Sequence, residues 1–259
     1  ILVSLTGEQL RGSALIAADG IWSTIRQQLF PDTPMPSASR YAVFRALRPV
    51  EEIAPDLIKN VVNFRCGPDF HMVHYLLRKD TLLNVVAGIK VPDHIEMDDQ
   101  ENVKAHLETA FAEGCDEIKR LLSYVDRSRY WIISNLQPLH QWSKGKIVLL
   151  GDSAHAMVQA MAQGACQAIE DAYVLAKHIA NAETVEDAFR CYQEERHHRA
   201  TYVQYRSLYV WELIHVCGGW RDLRKEKLAE MKEEDALTDL EWLYSITPGS
   251  KLHSELSWA

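Results

Sequence analysis

Two glycine–aspartate steps, each at the end of an apolar run, are the residues here whose types and spacing could do chemistry. Asp19–Gly20 follows the run 14–18, and Gly151–Asp152 follows the run 146–150. Ligands of open α/β sheets bind beyond the carboxyl ends of the strands, where glycine lets the backbone come close and aspartate accepts hydrogen bonds from hydroxyl groups. Taken alone, either step is also typical of a plain turn. Together they predict a ligand site at a sheet edge.

The segment after Asp152 supports this prediction. It leads through Gln159 to Gly164–Ala165, where the pattern indicates the start of a helix that runs to about residue 180, with Ile169 and Leu175 on its apolar stripe. Free N–H groups and the dipole at a helix N-terminus stabilise an anion or an electron-rich heterocycle. The pyrimidine ring of a reduced flavin is one such group.

A second set of candidates lies between His71 and Tyr75. In a strand these two side chains point to one face, and His74 points to the other. An imidazole is suited to remove the proton of a phenol, and the polar groups of Tyr75 and Gln159 could hold an oxygen atom. Each residue also has a structural interpretation: a lone strand histidine or a half-buried tyrosine commonly packs, and a glutamine commonly lies in a loop.

The elements that must position these residues are of two kinds. The runs 14–18 and 146–150 are typical of buried parallel strands, and helices are expected at 21–29 and 164–180. Between them, strand-like segments alternate with turn signals at 41–47, 61–66, 71–78, 82–89 and 130–133, and a helix is expected at 99–122. The pattern predicts an α/β layer interrupted by an antiparallel sheet.

Composition excludes several classes of protein. The 259 residues are 47% hydrophobic and 25% charged, which is ordinary for a globular protein. With 28 basic and 36 acidic residues the formal net charge is -8, which argues against a nucleic-acid partner. No apolar run approaches the ~18 residues of a transmembrane segment. Five scattered cysteines predict neither a disulfide framework nor a zinc site, and they favour a reducing, cytoplasmic location.

Taken together, the motifs resemble those of the group A flavoprotein monooxygenases. Residues 18–26 are similar to the Asp-Gly motif of that family, residues 151–155 to its Gly-Asp motif, and residues 162–172 to its flavin-facing helix. The resemblance implies a Rossmann-like FAD/NAD(P)-binding domain of the para-hydroxybenzoate-hydroxylase kind, an antiparallel substrate domain and C-terminal helices. It also implies FAD as cofactor, NADH or NADPH as co-substrate, and O2 and a small aromatic acid as substrates.

The resemblance assigns roles to single residues. Asp152, in the motif begun by Gly151, would hydrogen-bond the ribityl chain of FAD. The backbone of Gly164 and Ala165 would contact the flavin pyrimidine edge. Asp19 and Arg26 would support the binding of FAD and of the reduced nicotinamide.

Within the family, the sequence is most similar to 3-hydroxybenzoate 6-hydroxylases. This rests on the segment 71–75 and on Gln159, where most relatives carry proline. His71, Tyr75 and Gln159 are therefore expected in the substrate pocket, with 3-hydroxybenzoate hydroxylated to 2,5-dihydroxybenzoate. Salicylate hydroxylation is the alternative within the family, and a non-catalytic flavin-fold binding module is the alternative outside it.

The expected division of the chain has four segments. Residues 1–38 and 136–185 form the FAD-binding domain, 39–135 the substrate-binding sheet, and 186–259 a C-terminal helical region. The glycine-rich loop that holds the FAD pyrophosphate in this family has no counterpart here, so an N-terminal part is expected outside this chain. The run 194–199 is expected to be a solvated helix face, and the run 202–220 a packing or homodimer face.

Overall fold

The structure is a computed structural model that describes residues 2–3, 5–230 and 242–244. The chain forms two compact units. Unit 1 takes in the described residues of Ile1–Pro36, Leu136–Leu208 and Glu226–Ala259, and unit 2 consists of Ser37–Asn135 and Tyr209–Lys225. The assignment of functions to the four expected segments stays a prediction.

The described residues form short strands and longer helices. The strands are β1 (Leu2–Val3), β2 (Gln9–Leu10), β3 (Leu15–Ala17), β4 (Ser37–Pro49), β5 (Asn63–Gly67), β6 (Phe70–Leu77), β7 (Leu82–Lys90), β8 (Trp131–Asn135), β9 (Ser143–Lys144) and β10 (Ile147–Leu149). The helices are α1 (Thr24–Leu29), α2 (Gln100–Ala110), α3 (Asp116–Leu122), α4 (Asp152–His155), α5 (Gly164–Asn181), α6 (Val185–His215) and α7 (Gly219–Glu230). Among these, no helix is both long enough and apolar enough to cross a membrane.

The sheet of unit 1 has three strands in the order β3-β10-β9. β3 and β10 run parallel with Ala17 opposite Leu149, which confirms the expected pair of parallel strands. Among the described strands β3 lies at one edge of this sheet, and Ile16 in it is 46% exposed, so the expectation of full burial is wrong at that residue. β1 and β2 form a separate antiparallel hairpin.

The helices of unit 1 differ from the expected ones at two points. α1 begins at Thr24 and not at residue 21, because the side chain of Ser23 caps it by accepting from the N–H of Arg26. In α5, Leu175 is buried as expected, but Ile169 is 71% exposed. The buried face of α5 also carries Gln167 and Asp171, whose partners are described below.

Unit 2 contains the expected antiparallel sheet, with strand order β5-β6-β7-β4-β8. One face of the sheet packs on α2 and α3 and contributes Phe44, Met72 and Ile89 to a dry core. The helix expected at 99–122 is two helices, interrupted around Gly114, where an added Cβ would lie 3.0 Å from the carbonyl oxygen of Phe111. The opposite face of the sheet carries His71 and Tyr75.

Candidate functional site

Asp19 and Asp152 follow two neighbouring parallel strands, β3 and β10, and therefore lie beyond the same edge of the sheet in unit 1. The carboxylate of Asp19 accepts from Oγ of Ser23 at 2.6 Å and from the N–H of Ile25 at 3.2 Å. It thereby holds the turn through Gly20, which has a φ of 79°. Asp19 is thus a residue that shapes the edge, and its predicted contact with FAD or nicotinamide stays a prediction.

Arg26 is buried between the two turns. Its guanidinium donates to the carbonyl oxygen of Ser153 at 3.0 Å and to that of Ile21 at 2.5 Å. Burial lowers the pKa of Arg26 from its ordinary value, an effect that the nearby Asp19 carboxylate partly offsets. Oγ of Ser153 adds a hydrogen bond to the carbonyl of Ala17 at 2.6 Å. Arg26 therefore ties the two turns together, and a direct contact with a cofactor stays a prediction.

Gly151 occupies a position that no other residue would fit without strain. Its backbone has φ 64° and ψ -138°, a combination that is essentially restricted to glycine. An added Cβ would lie 3.1 Å from Cβ of Ala168 on α5. The N–H of Gly151 donates to Oδ2 of Asp171 at 3.0 Å. These contacts bring strand β10 and helix α5 close together and turn Asp152 outward.

The start of α5 is open to a ligand. No side chain caps it, so the first-turn N–H groups of Gly164 and Ala165 are presented at the N-terminus of an 18-residue helix. Asp152 is exposed beside it, and its Oδ1 would lie 3.9 Å from a Cβ added at Gly164. A carboxylate that accepts from hydroxyl groups thus adjoins N–H groups that stabilise negative charge. This donor and acceptor set fits the ribityl chain and pyrimidine edge of FAD.

The other predicted residue of unit 1 is Gln159. It opens a 3-10 turn, Gln159–Met161, which ends at Ala162 in the left-handed conformation. The turn leads directly into α5, and Gln159 itself is half-buried. The structure thus places Gln159 on the loop before the open helix start, and its contact with substrate stays a prediction.

A buried set of charged groups lies behind Gly151. Asp171 accepts from Nε2 of His155 at 2.6 Å and from Nε of Arg196 at 2.8 Å. Glu170 accepts from Arg196 and, with both oxygens, from Arg199. Burial acts to raise the pKa of Asp171, but its bonds to His155 and Arg196 outweigh burial and hold the pKa below the ordinary value.

This network corrects the expectation for the run 194–199. Arg196 is only 3% exposed and Arg199 only 4%, so two of the six residues expected to be solvated are buried against α5. The carboxylates of Glu170 and Asp171 make this burial tolerable, since buried charges need partners. The network links α6 to the glycine–aspartate turn through Asp171 and so holds the open helix start in place.

The predicted residue His71 lies in unit 2 and has a partner that the sequence did not indicate. His71 is 2% exposed, and its Nδ1 lies 2.8 Å from Nε2 of His215 near the end of α6. Nδ1 of His215 lies 2.7 Å from the carbonyl oxygen of Trp211. Burial and, secondarily, His215 lower the pKa of His71 to about 3. Burial lowers that of His215 to about 4.

Aromatic rings and a glycine fix the plane of the His71 ring. Phe64 stacks on it with centroids 5.7 Å apart, and Trp211 meets it edge-on at 5.4 Å. Gly88 lies directly opposite on β7, where an added Cβ would come within 2.1 Å of Cε1 of His71. The ring therefore occupies space that any other residue at position 88 would fill.

Tyr75 lies on the same face as His71, as the strand pattern predicts, and pairs across the ladder with Asn84. Four residues of strand put the two Cα atoms roughly 13 Å apart, so their side chains would meet opposite ends of a shared ligand and not each other. Asn84 is buried on this face, in a strand that is otherwise apolar up to Lys90. Asn84 is a candidate substrate-binding residue that the sequence analysis did not predict, although a lone asparagine within the apolar run 82–89 indicates it. His74 is also fully buried, on the opposite face.

Comparison with known proteins was made by sequence and by fold. The sequence profile of the FAD binding domain family matches residues 1–207. The chain is 31% identical over 246 residues to 3-hydroxybenzoate 6-hydroxylase 1 of Aquipseudomonas alcaligenes, covering 92% of this chain and 60% of that protein. It is 31% identical over 239 residues to 3-hydroxybenzoate 6-hydroxylase 2 of the same species, covering 92% of this chain and 74% of that one.

Two solved structures share the fold. The complex of Klebsiella pneumoniae HpxO with FAD and uric acid superposes with a TM-score of 0.83 at 21% identity, covering 92% of this chain and 61% of that one. A salicylate hydroxylase substrate complex superposes with a TM-score of 0.74 at 24% identity, covering 96% and 65%. The chain thus spans about 60% of several proteins that it matches. The family match over residues 1–207 shows that this chain belongs to the FAD-binding-domain family of flavin-dependent aromatic hydroxylases.

Proposed function

We propose that the natural protein is a monooxygenase that hydroxylates a phenolic aromatic acid with FAD, O2 and NADH or NADPH. The substrate that we propose is 3-hydroxybenzoate, and the product is 2,5-dihydroxybenzoate. The observation that carries the proposal is His71, a neutral buried imidazole on the sheet face opposite the dry core, in a chain that is 31% identical to two 3-hydroxybenzoate 6-hydroxylases. The ring carbon para to a 3-hydroxyl group is carbon 6, which is the position named for those relatives.

Binding of the cofactor is proposed for the edge of the sheet in unit 1. When bound, FAD supplies the activated oxygen atom that is transferred to the ring. Asp152 would accept hydrogen bonds from the ribityl hydroxyls, and the N–H groups of Gly164 and Ala165 would face the pyrimidine edge. Gly151 and Arg26 would hold these groups in place from behind.

His71 would accept the hydrogen bond of the substrate hydroxyl. A phenol ring reacts with an electrophilic oxygen more readily as its proton is drawn away, so an acceptor at this position speeds the reaction. With a pKa of about 3, His71 is neutral at physiological pH and keeps a lone pair for this purpose. The proton would move to His71 as negative charge develops on the substrate oxygen beside it, since an opposite charge favours the imidazolium.

Tyr75 and Gln159 are proposed to hold substrate oxygens. Tyr75 shares the face of His71 at a distance suited to the far end of a ligand. For Gln159 the support is its position on the turn before α5 and the sequence resemblance described above. Both proposals concern orientation of the substrate and not the removal of its proton.

The test uses the purified natural protein supplied with FAD. We expect 3-hydroxybenzoate to stimulate the oxidation of NADH or NADPH and to be converted to a hydroxylated product. Benzoate, which lacks the hydroxyl group, should give no such product. Catechol from salicylate, without product from 3-hydroxybenzoate, would favour the alternative substrate. A colourless protein that takes up no FAD, with no stimulated oxidation, would favour a non-catalytic binding module and refute the proposal.

A variant separates the role of His71 from flavin reduction. We expect His71→Ala to slow hydroxylation by about 100-fold or more, because it removes the proton acceptor, and to change the rate of flavin reduction much less. His94→Ala is the matched control, since His94 is an exposed histidine of the same unit. Stopped-flow measurement of the two half-reactions gives both rates. Equal losses in both would refute the role of His71.

A further inference from the structure

His71 is the third member of a hydrogen-bonded series that begins at a backbone carbonyl and passes through His215. Nδ1 of His215 lies 2.7 Å from the oxygen of Trp211, one helical turn earlier in α6. Nε2 of His215 lies 2.8 Å from Nδ1 of His71. Among the described residues, Nε2 of His71 has no hydrogen-bond partner, and it is not among the fully enclosed polar atoms.

The direction of this series follows from the chemistry of its first member. A carbonyl oxygen only accepts, so Nδ1 of His215 must carry its proton. A neutral imidazole has one N–H, so Nε2 of His215 is then an acceptor. Nδ1 of His71 must therefore donate to it, which leaves Nε2 of His71 with a lone pair.

We propose that His215 is a positioning residue, which fixes His71 as the tautomer with a proton on Nδ1 and makes Nε2 the proton acceptor. The importance of this tautomer for catalysis rests on the proposed function, since only Nε2 is then available to a phenol hydroxyl. The tautomer itself does not depend on the reaction.

The packing around His215 supports a fixed orientation. Its ring contacts those of Tyr41 and Trp211, with centroids 4.2 Å and 4.6 Å away. Arg224 of α7 donates to the carbonyls of Leu213 and Ile214 at 3.0 Å and 2.7 Å and so closes the end of α6 at His215. Packing by these two rings, together with the hydrogen bonds at both of its nitrogens, opposes a flip of the imidazole that would exchange Nδ1 and Nε2.

The charged and titratable groups around the pair do not reverse the assignment. These groups are Tyr41 on β4, Cys66 on β5, Asp69 in the turn before β6, Lys90 on β7, Glu212 near the end of α6, Cys217 between α6 and α7, and Arg224 on α7. Burial is the largest effect and lowers the pKa of His215, as do Arg224 and Lys90, whereas the hydrogen bond to the Trp211 carbonyl and the charge of Asp69 raise it without offsetting burial. Both rings are therefore neutral at neutral pH, as the tautomer argument requires.

The direct test is nitrogen-15 NMR of the imidazoles in the FAD-loaded natural protein, with His71 assigned from its loss in His71→Ala. We expect His71 to show a protonated Nδ1 and a bare Nε2. His215→Phe keeps a ring but removes the acceptor, so the signals of His71 should move towards a mixture of tautomers. His215→Gln places an amide oxygen near the lost Nε2 and should restore the original tautomer. A bare Nδ1 on His71, or signals unchanged in His215→Phe, would overturn the proposal.

Kinetics of the same variants give the catalytic consequence. We expect kcat for aromatic hydroxylation to fall by about 10-fold or more in His215→Phe, with a smaller change in KM, and to recover largely in His215→Gln. Equal losses in both variants would contradict a positioning role. If the tautomer is as proposed but no aromatic acid is hydroxylated by the unmodified protein, the proposed function fails and the positioning by His215 stands.

Discussion

Replacing Gly151 with alanine should be far more costly than replacing another glycine with a positive φ. Two costs combine at Gly151: the backbone combination of φ 64° and ψ -138°, about 1–3 kcal/mol for a residue with a side chain, and contact of the new Cβ with Ala168 at 3.1 Å. The contact requires α5 to move by a few tenths of an ångström, and such overpacking costs about 1 kcal/mol or more. We therefore expect Gly151→Ala to lower the free energy of unfolding by about 3 kcal/mol.

The matched control is Gly145→Ala. Gly145 has a φ of 56°, but an added Cβ would meet nothing within 4 Å. Its cost should be only the backbone cost of about 1 kcal/mol. Denaturant-induced unfolding of the FAD-free protein, monitored by circular dichroism, gives both values.

A double variant separates the two costs at Gly151. Ala168→Gly removes the Cβ that the new alanine would strike, at the expense of about 1 kcal/mol of helix propensity. In the Gly151→Ala background it should therefore cost less than it does alone, by about 0.5 kcal/mol or more. Equal losses at Gly145 and Gly151, with no coupling to Ala168, would refute the account of how this turn is held against α5.

Three further predictions concern buried groups in both units. Gly88→Ala would place a Cβ 2.1 Å from Cε1 of His71 and should displace that ring, which lowers the free energy of unfolding by about 1–3 kcal/mol. The control Gly219→Ala, whose new Cβ would have nothing within 4 Å, should cost little, and equal losses in the two variants would contradict the prediction. Arg196→Met removes the cation that Glu170 and Asp171 share, leaving Arg199 on Glu170 and His155 on Asp171, and should cost about 3 kcal/mol at neutral pH in denaturant unfolding, whereas a loss below about 1 kcal/mol would contradict a role of this network in stability. The pKa values of about 3 for His71 and about 4 for His215 lie below the ordinary 6.5, so the unfolded chain binds protons first as the pH falls. The contribution of the two neutral histidines to the free energy of unfolding is thus complete above pH 6.5 and is lost below it, by up to about 1.4 kcal/mol per pH unit for each histidine. The free energy of unfolding, measured from about pH 6.5 to 4.5, should therefore depend less steeply on pH in His215→Phe, and an unchanged dependence would contradict this prediction.

The local signals in the sequence sufficed for much of the fold. The apolar runs that end at Asp19 and Gly151 are parallel neighbours, and the alternation around His71 and Tyr75 correctly predicts a shared face. These predictions succeed because strand alternation and glycine–aspartate turns depend on short-range geometry.

Long-range polar pairing could not be predicted in the same way. His215 lies 144 residues from His71, and no local pattern distinguishes it from other histidines on a charged helix. Arg196 was predicted to be solvated because arginine is usually exposed. Its burial depends on the carboxylate of Asp171, which lies in a different helix. The polar groups that support the candidate site are therefore visible only once the elements are packed.

The most direct test of the central claim is product analysis with 3-hydroxybenzoate. The FAD-loaded natural protein would be incubated with the substrate, O2 and NADH or NADPH, and the aromatic products separated by chromatography. We predict 2,5-dihydroxybenzoate that accumulates in step with oxidation of the nicotinamide and is lost in His71→Ala. Nicotinamide oxidation that yields only peroxide with every aromatic acid, or no oxidation at all, would contradict the claim.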